Sequence, residues 1–104
     1  MNNADAIAAL ADPSRRAIVD QLRGGPLPVG VIAAELPISR PAVSQHLKIL
    51  TDAGLLRVAT NGNRRFYQIS PEGVDAIRSY FDSLWDDALR AFEAQSQSKR
   101  KDLP

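Results

Sequence analysis

The sequence contains no cysteine and a single histidine among 104 residues. Without thiols there is no disulfide, no thiolate metal site and no cysteine nucleophile. One imidazole cannot build a zinc centre without further nitrogen or sulfur donors. Long apolar runs are missing as well: nothing approaches the roughly 18 residues that a membrane-spanning helix needs. No apolar run follows a basic start, so a signal peptide is not expected and a cytoplasmic location is. No glycine-rich phosphate loop is present. With these absences neither an enzyme nor a cofactor is expected, and the acids of the C-terminal region read as a solvated face rather than an acid/base pair.

What is present is ordinary globular material, 44% hydrophobic and 24% charged, enough for one small domain. A core this modest gains from a partner subunit. The net charge of +1 hides a division. Between Ser39 and Tyr67 stand Arg40, Lys48, Arg57, Arg64 and Arg65 against Asp52 alone, a net of +4. Between Pro71 and Gln95 stand Glu72, Asp75, Asp82, Asp86, Asp87 and Glu93 against Arg78 and Arg90, a net of −4. One region attracts a polyanion and the other repels it, unless both are simply solvated faces.

Local signals place the elements. Asn3–Ala11 reads as a short helix with Ile7 and Leu10 three apart. Asp12-Pro13 starts a second helix, with Asp12 as cap and Pro13 at the first position, and Gly24-Gly25-Pro26 stops it. Val29, Ile32, Ala33 and Leu36 form one stripe of a third helix, opened by Pro28 and ended by Pro37. Ser39 caps a fourth that runs to about Ala53, where Gly54 supplies the left-handed stop. The third and fourth helices form a helix-turn-helix.

Strands follow at Leu55–Thr60 and Arg64–Ile69, joined at Asn61-Gly62, which makes a two-stranded basic wing. Ser70-Pro71-Glu72 opens a fifth helix reaching about Ala94. The fold class is thus mainly α with a small hairpin: a winged helix-turn-helix of five helices and a two-stranded wing. Residues 1–94 form the DNA-binding and dimerisation domain, and 95–104 read as a disordered basic tail.

Stepping about 100° per residue along the fourth helix turns Val43, Leu47 and Leu50 to the core. Pro41, Ser44, Gln45, Lys48 and Asp52 fall on the opposite side, flanked by Arg40. Gln45 suits a bidentate pair with adenine and Ser44 a base edge, while Arg40 suits guanine or phosphate and Lys48 phosphate. The same face is also what a plain solvated helix shows. His46, on the flank of the apolar stripe, reads as a half-buried framework residue that also reaches the DNA backbone. At the wing tip Asn63, Arg64 and Arg65 suit a narrow groove of strong negative potential.

Ala11-Asp12-Pro13-Ser14-Arg15-Arg16-Ala17-Ile18, the run Ser39 to Leu50 (SRPAVSQHLKIL) and Ala53-Gly54-Leu55 together resemble the ArsR/SmtB (arsenical-resistance repressor) family, over about Ala4 to Ala94. The resemblance implies a dimeric winged helix-turn-helix whose repression is relieved by a ligand, here a small-molecule effector that the residues do not identify. It places Arg40, Ser44, Gln45, His46 and Lys48 on the DNA-reading helix and Arg64 and Arg65 on the wing, and Ser39, Pro41 and Asn63 are expected to contact DNA beside them. Many relatives sense metal through Cys-x-Cys where this chain has Leu27-Pro28-Val29-Gly30-Val31, or through Asp and His on a last helix that here lacks His. Metal sensing is therefore not expected. Pro37 occupies a turn position where the family often has Gly.

The last helix carries Ile77, Tyr80, Phe81, Leu84, Trp85, Ala88, Leu89 and Phe92, a stripe wider than one small core covers. With Ile7 and Leu10 it is the expected dimer face, since so broad an apolar band is unfavourable in water. A dimer sets two reading helices about 34–36 Å apart and implies a palindromic operator on double-stranded DNA. The alternative is a winged-helix module that binds another protein through this face and no DNA.

Overall fold

The chain opens with a corner built from charged side chains. The computed structural model describes residues 3–102, and the side chains of 4–97. Helix α1 (Asn3–Leu10) is followed by α2 (Pro13–Gln21), whose N-cap Asp12 accepts the N–H groups of Ser14 and Arg15 at 2.8 and 3.1 Å. Two arginines of α2 then reach back. Arg15 Nε donates to the Ala9 carbonyl at 2.6 Å, and Arg16 donates to the carbonyls of Leu10 and Ala11 at 2.9 and 2.8 Å. The last carbonyls of a helix lack partners of their own and sit at its negative end, so guanidinium groups satisfy them twice over. Ala6 and Ala9 are the buried side chains of α1; Ile7 and Leu10 are half-buried, with Leu10 packed on the core.

After a 3-10 turn (Leu22–Gly24) come β1 (Leu27–Pro28), α3 (Val29–Ala34) and α4 (Arg40–Asp52). Helix α3 ends two residues before Leu36, the end expected from the sequence, because a residue preceding proline is disfavoured in helical conformation and Pro37 follows. Ser39 caps α4 by accepting the Ala42 N–H at 3.2 Å. Val43, Leu47 and Leu50 are fully buried, together with Ile18 of α2, Ile32 of α3 and Leu55. The exit of α4 is a Schellman turn. Leu55 N–H bonds to Leu50 O and Gly54 N–H to Thr51 O, both at 3.0 Å, with Gly54 at φ +84°. The buried Leu50–Leu55 pair supplies its hydrophobic contact.

Strands β2 (Leu56–Asn61) and β3 (Arg64–Ile69) pair antiparallel with Asn61 opposite Arg64. The loop is therefore Gly62-Asn63, one residue later than the expected Asn61-Gly62. Gly62 has φ +64°, and no non-glycine described has a positive φ, which is the pattern of a II′ rather than a I′ turn. The wing also has a third strand. β1 pairs with β3, Leu27 opposite Tyr67 and Pro28 opposite Phe66, giving the order β1-β3-β2 instead of a two-stranded ribbon. Two residues, one of them proline, carry no alternation to read, and an edge strand is where proline fits.

Helix α5 (Pro71–Asp102) extends beyond the expected end at Ala94, since Gln95 to Asp102 contains neither glycine nor proline to stop it. Its start is seated on the Schellman turn. Ser70 N–H donates to Leu55 O at 2.8 Å, and Ser70 Oγ accepts the Gly73 N–H at 3.4 Å. A Cβ on Gly73 would lie 2.0 Å from the Gly54 carbonyl oxygen and 3.2 Å from Leu55 Cα. Ile77 packs on the core and α1 lies alongside, but residues 78–95 are all exposed. The long helix stretches the molecule to 72 × 26 × 22 Å, with a radius of gyration of 19.3 Å. A compact domain of this length has about 13 Å. No helix among the described residues is long and apolar enough to cross a membrane.

Two helical glycines should respond oppositely to alanine. Gly73→Ala meets the Gly54–Leu55 backbone and should lower the stability by about 1–3 kcal/mol or more. Gly30→Ala, whose Cβ would meet nothing nearer than the Arg40 guanidinium at 3.9 Å, should raise it by about 0.5–1 kcal/mol. Urea unfolding followed by circular dichroism measures both.

Candidate nucleic-acid interface

Because Val43, Leu47 and Leu50 anchor α4 in the core, its opposite side is turned outward. Ser39, Arg40, Pro41, Ser44, Gln45 and Lys48 are all exposed. The wing folds back beside this face. Ser44, Lys48 and Asp52 of α4 share one concave surface with Val58, Arg65 and Tyr67 of the wing. A neighbouring groove joins Arg40 and the start of α3, at Val29, Gly30 and Val31, to Asn63, Arg64 and Arg65. Six of the expected residues thus lie on one continuous side: Arg40, Ser44, Lys48, Asn63, Arg64 and Arg65. Gln45 is exposed but lines neither groove. The α3 start was not singled out in the sequence; its residues are apolar or glycine and carry no polar signal.

The cations are held in different ways. Arg64 lies over the Phe66 ring at 5.3 Å and Arg65 over Tyr67 at 5.9 Å, alternate faces of β3 each stacking a guanidinium on an aromatic. Lys48 Nζ bonds to Asp52 Oδ2 at 2.7 Å. Arg57 is drawn away toward α5, with Nη2 3.6 Å from Glu72 Oε2. Glu72 also accepts the Ser70 hydroxyl at 3.1 Å. Its carboxyl is held below the usual range by its own backbone N–H, then by Ser70 and by Arg57.

His46 is half-buried on the flank of α4, and its Nδ1 lies 3.4 Å from Arg15 Nη1. Arg15 can only donate, so in this contact Nδ1 is the acceptor. Arg15 thereby ties α4 to the end of α1 through Ala9 and stands 3.9 Å from Asp12. The Arg15 backbone N–H is the foremost cause holding the Asp12 carboxyl below its ordinary value, opposed by partial desolvation and aided by the Ser14 N–H and the Arg15 and His46 charges.

On the far side α5 displays its apolar stripe. Tyr80, Phe81, Leu84, Trp85, Leu89 and Phe92 are between 41 and 67% exposed, and Ala88 is exposed between them. Ile77 alone of the expected stripe is partly taken up by the core. Among the described residues no three His, Cys, Asp or Glu side chains gather as a metal site would require.

A helix-turn-helix followed by a basic β-wing defines the winged helix-turn-helix regulators, in which a helix is presented to DNA. A family model described as a helix-turn-helix domain matches residues 10–59. The chain is 49% identical over 94 residues to the HTH-type transcriptional regulator Rv2034 of Mycobacterium tuberculosis, covering 90% of this chain and 88% of that one. It is 36% identical to the arsenical resistance operon repressor of Staphylococcus xylosus, over 75% of each chain. Among solved structures, a homodimeric winged helix-turn-helix DNA-binding domain from Mycobacterium bovis superposes with a TM-score of 0.65 at 28% identity, covering 81% of this chain and 78% of that one. The protein belongs to the ArsR/SmtB family of winged helix-turn-helix transcriptional regulators.

The two depressed carboxyls have a pH consequence. Each folded-state value lies below the ordinary 3.8 of Asp12 or 4.5 of Glu72. Their stabilisation is therefore complete above those values and is lost as the pH falls through the folded ones. Asp12→Asn retains a cap without the charge, and Glu72→Gln retains an acceptor for the Ser70 hydroxyl without the charge. Thermal melts between pH 7 and pH 2 should show a shallower acid loss of Tm in the double variant than in the wild type.

Proposed function

We propose that this regulator is a repressor that binds a palindromic operator as a homodimer. Helix α4 enters the major groove, and the wing takes the flanking backbone or minor groove. The observation that carries the reading is the single concave side on which Ser44 and Lys48 of α4 meet Arg65 of the wing. In this reading Gln45 and Ser44 contact base edges, and Arg40, Lys48, Arg64, Arg65 and Asn63 contact phosphates or the narrow groove. Ser39 and Pro41 set the start of the helix, and its open N–H groups favour a phosphate there. His46 supports α4 from the side through Arg15 and reaches the DNA backbone.

The dimer is formed by α5. A row of large apolar groups this exposed is unfavourable in water, and a second copy covers it, with Ile7 and Leu10 at the margin. The homodimeric Mycobacterium bovis domain and the Staphylococcus xylosus repressor support the two-fold and repressing parts of the reading. The metal chemistry of some relatives does not fit these residues. Leu27 to Val31 offers no nitrogen or sulfur side-chain donor, and the carboxylates of α5 have no imidazole beside them. An effector of this regulator would have to be of another kind, and the reading places its action in the cytoplasm.

Duplexes selected from a random library and then titrated by fluorescence anisotropy at rising salt test this reading. Affinity should fall steeply with salt, as counterions are released; a flat response, or no selected duplex, excludes it. Gln45→Ala should weaken the selected duplex by about 1–3 kcal/mol and leave random duplex nearly unchanged, whereas Arg65→Ala should reduce the salt slope by about one on both. Trp85→Asp should convert a dimer to a monomer in sedimentation equilibrium; a wild type that already sediments as a monomer removes the dimer from the reading.

A further inference from the structure

The +4 segment between Ser39 and Tyr67 contains one acid, Asp52, and that acid is bonded to the lysine on the exposed face of α4. The pair lies in the groove shared with the wing, where Asp52 is the only carboxylate beside Lys48 and Arg65. Both side chains are about two-thirds exposed, at 67 and 64%, so the contact is a surface pair that a phosphate can replace.

Its placement does not serve the helix. The order lysine then acid, four apart, is the weaker orientation for a helical pair. Asp52 is also the last residue of α4, where a negative charge opposes the macrodipole. A carboxylate that adds little to its own helix, and lines a groove whose other charged groups are Lys48 and Arg65, acts on the ligand rather than on the fold.

We infer that Asp52 sets the affinity of this face for phosphate: it holds the Lys48 ammonium in the free protein and makes any phosphate compete for it. The inference rests on the DNA-binding reading above. Random DNA, offering only phosphates, has to displace Asp52 to gain one charge contact. A matched site that engages Lys48 has the same bond to displace, in addition to the base contacts it makes along the same helix. Asp52 therefore acts through Lys48, lowering by the same factor the affinity for every duplex that places a phosphate there.

The test uses the full chain and a fluorescein-labelled 30-base-pair duplex of random sequence. Asp52→Asn should bind it about two- to fivefold more tightly than the wild type, the range of an exposed charge pair. Its salt slope should steepen by about one, as Lys48 becomes free to neutralise a further phosphate. Asp52→Glu keeps the charge and should match the wild type. In a Lys48→Ala background the Asp52→Asn gain should vanish, which a double-mutant cycle reads directly. The melting temperature of Asp52→Asn should be unchanged or higher, separating the effect from misfolding.

Wild-type binding to the random duplex with unchanged affinity and slope in Asp52→Asn overturns the role of Asp52 and leaves the DNA-binding reading standing. A gain that survives in Lys48→Ala overturns the route through Lys48. Failure of the wild type to bind any duplex removes both readings.

Discussion

The arrangement of this regulator depends on one close backbone contact, where Gly73 of α5 rests against the Gly54 carbonyl at the exit of α4. Three elements meet there. The Schellman turn ends α4, Leu55 leads into the wing, and Ser70 hydrogen-bonds back to Leu55 as α5 begins. Only a residue without Cβ permits the approach, because the nearest atoms are backbone and cannot turn aside. The buried Leu50–Leu55 contact fills the space beneath. In consequence the exposed face of α4, the basic wing and the apolar helix α5 are held in one fixed relation. A DNA surface and a dimer face need that relation if a change at one is to be felt at the other.

A second tie crosses the body from the opposite side. Arg15 bonds to the α1 terminus at Ala9 and to His46 of α4, and α1 packs along α5. The Asp-Pro-Ser-Arg-Arg run is thus a structural clamp: Asp12 caps α2 while Arg15 and Arg16 satisfy the end of α1. Its place in the family pattern has a physical basis that requires no contact with DNA. The charge division has a similar logic. The basic side lies on α4 and the wing, the acids lie along α5, and Arg57 and Glu72 form an ion pair between the two. A polyanion is attracted to one side and repelled from the other.

Much of the site could be read in the chain because it follows from local rules. The α4 face comes from the spacing of Val43, Leu47 and Leu50, and its ends come from Ser39 and Gly54. The wing follows from a glycine turn between two alternating strands, although the register of that turn fell one residue later, since Asn and Gly tolerate more than one turn type. The end of α5 was misplaced because a loss of apolar periodicity is not a stop signal when glycine and proline are both absent. The Lys48–Asp52 pair was present as an i, i+4 spacing, but spacing alone does not tell a bonded pair from two solvated charges.

By itself the sequence determined the order and the starts of the helices, which side of α4 is polar, and that no thiol is available. Each of these depends on neighbours within a few positions or on composition. Only the tertiary structure decided that β1 joins the wing, that Gly73 must be glycine, that His46 faces Arg15, and that Arg40 and Ser44 share a surface with Arg64 and Arg65. Those relations join residues from about 20 to nearly 40 positions apart, and their geometry is set by how the core packs, which no local pattern encodes.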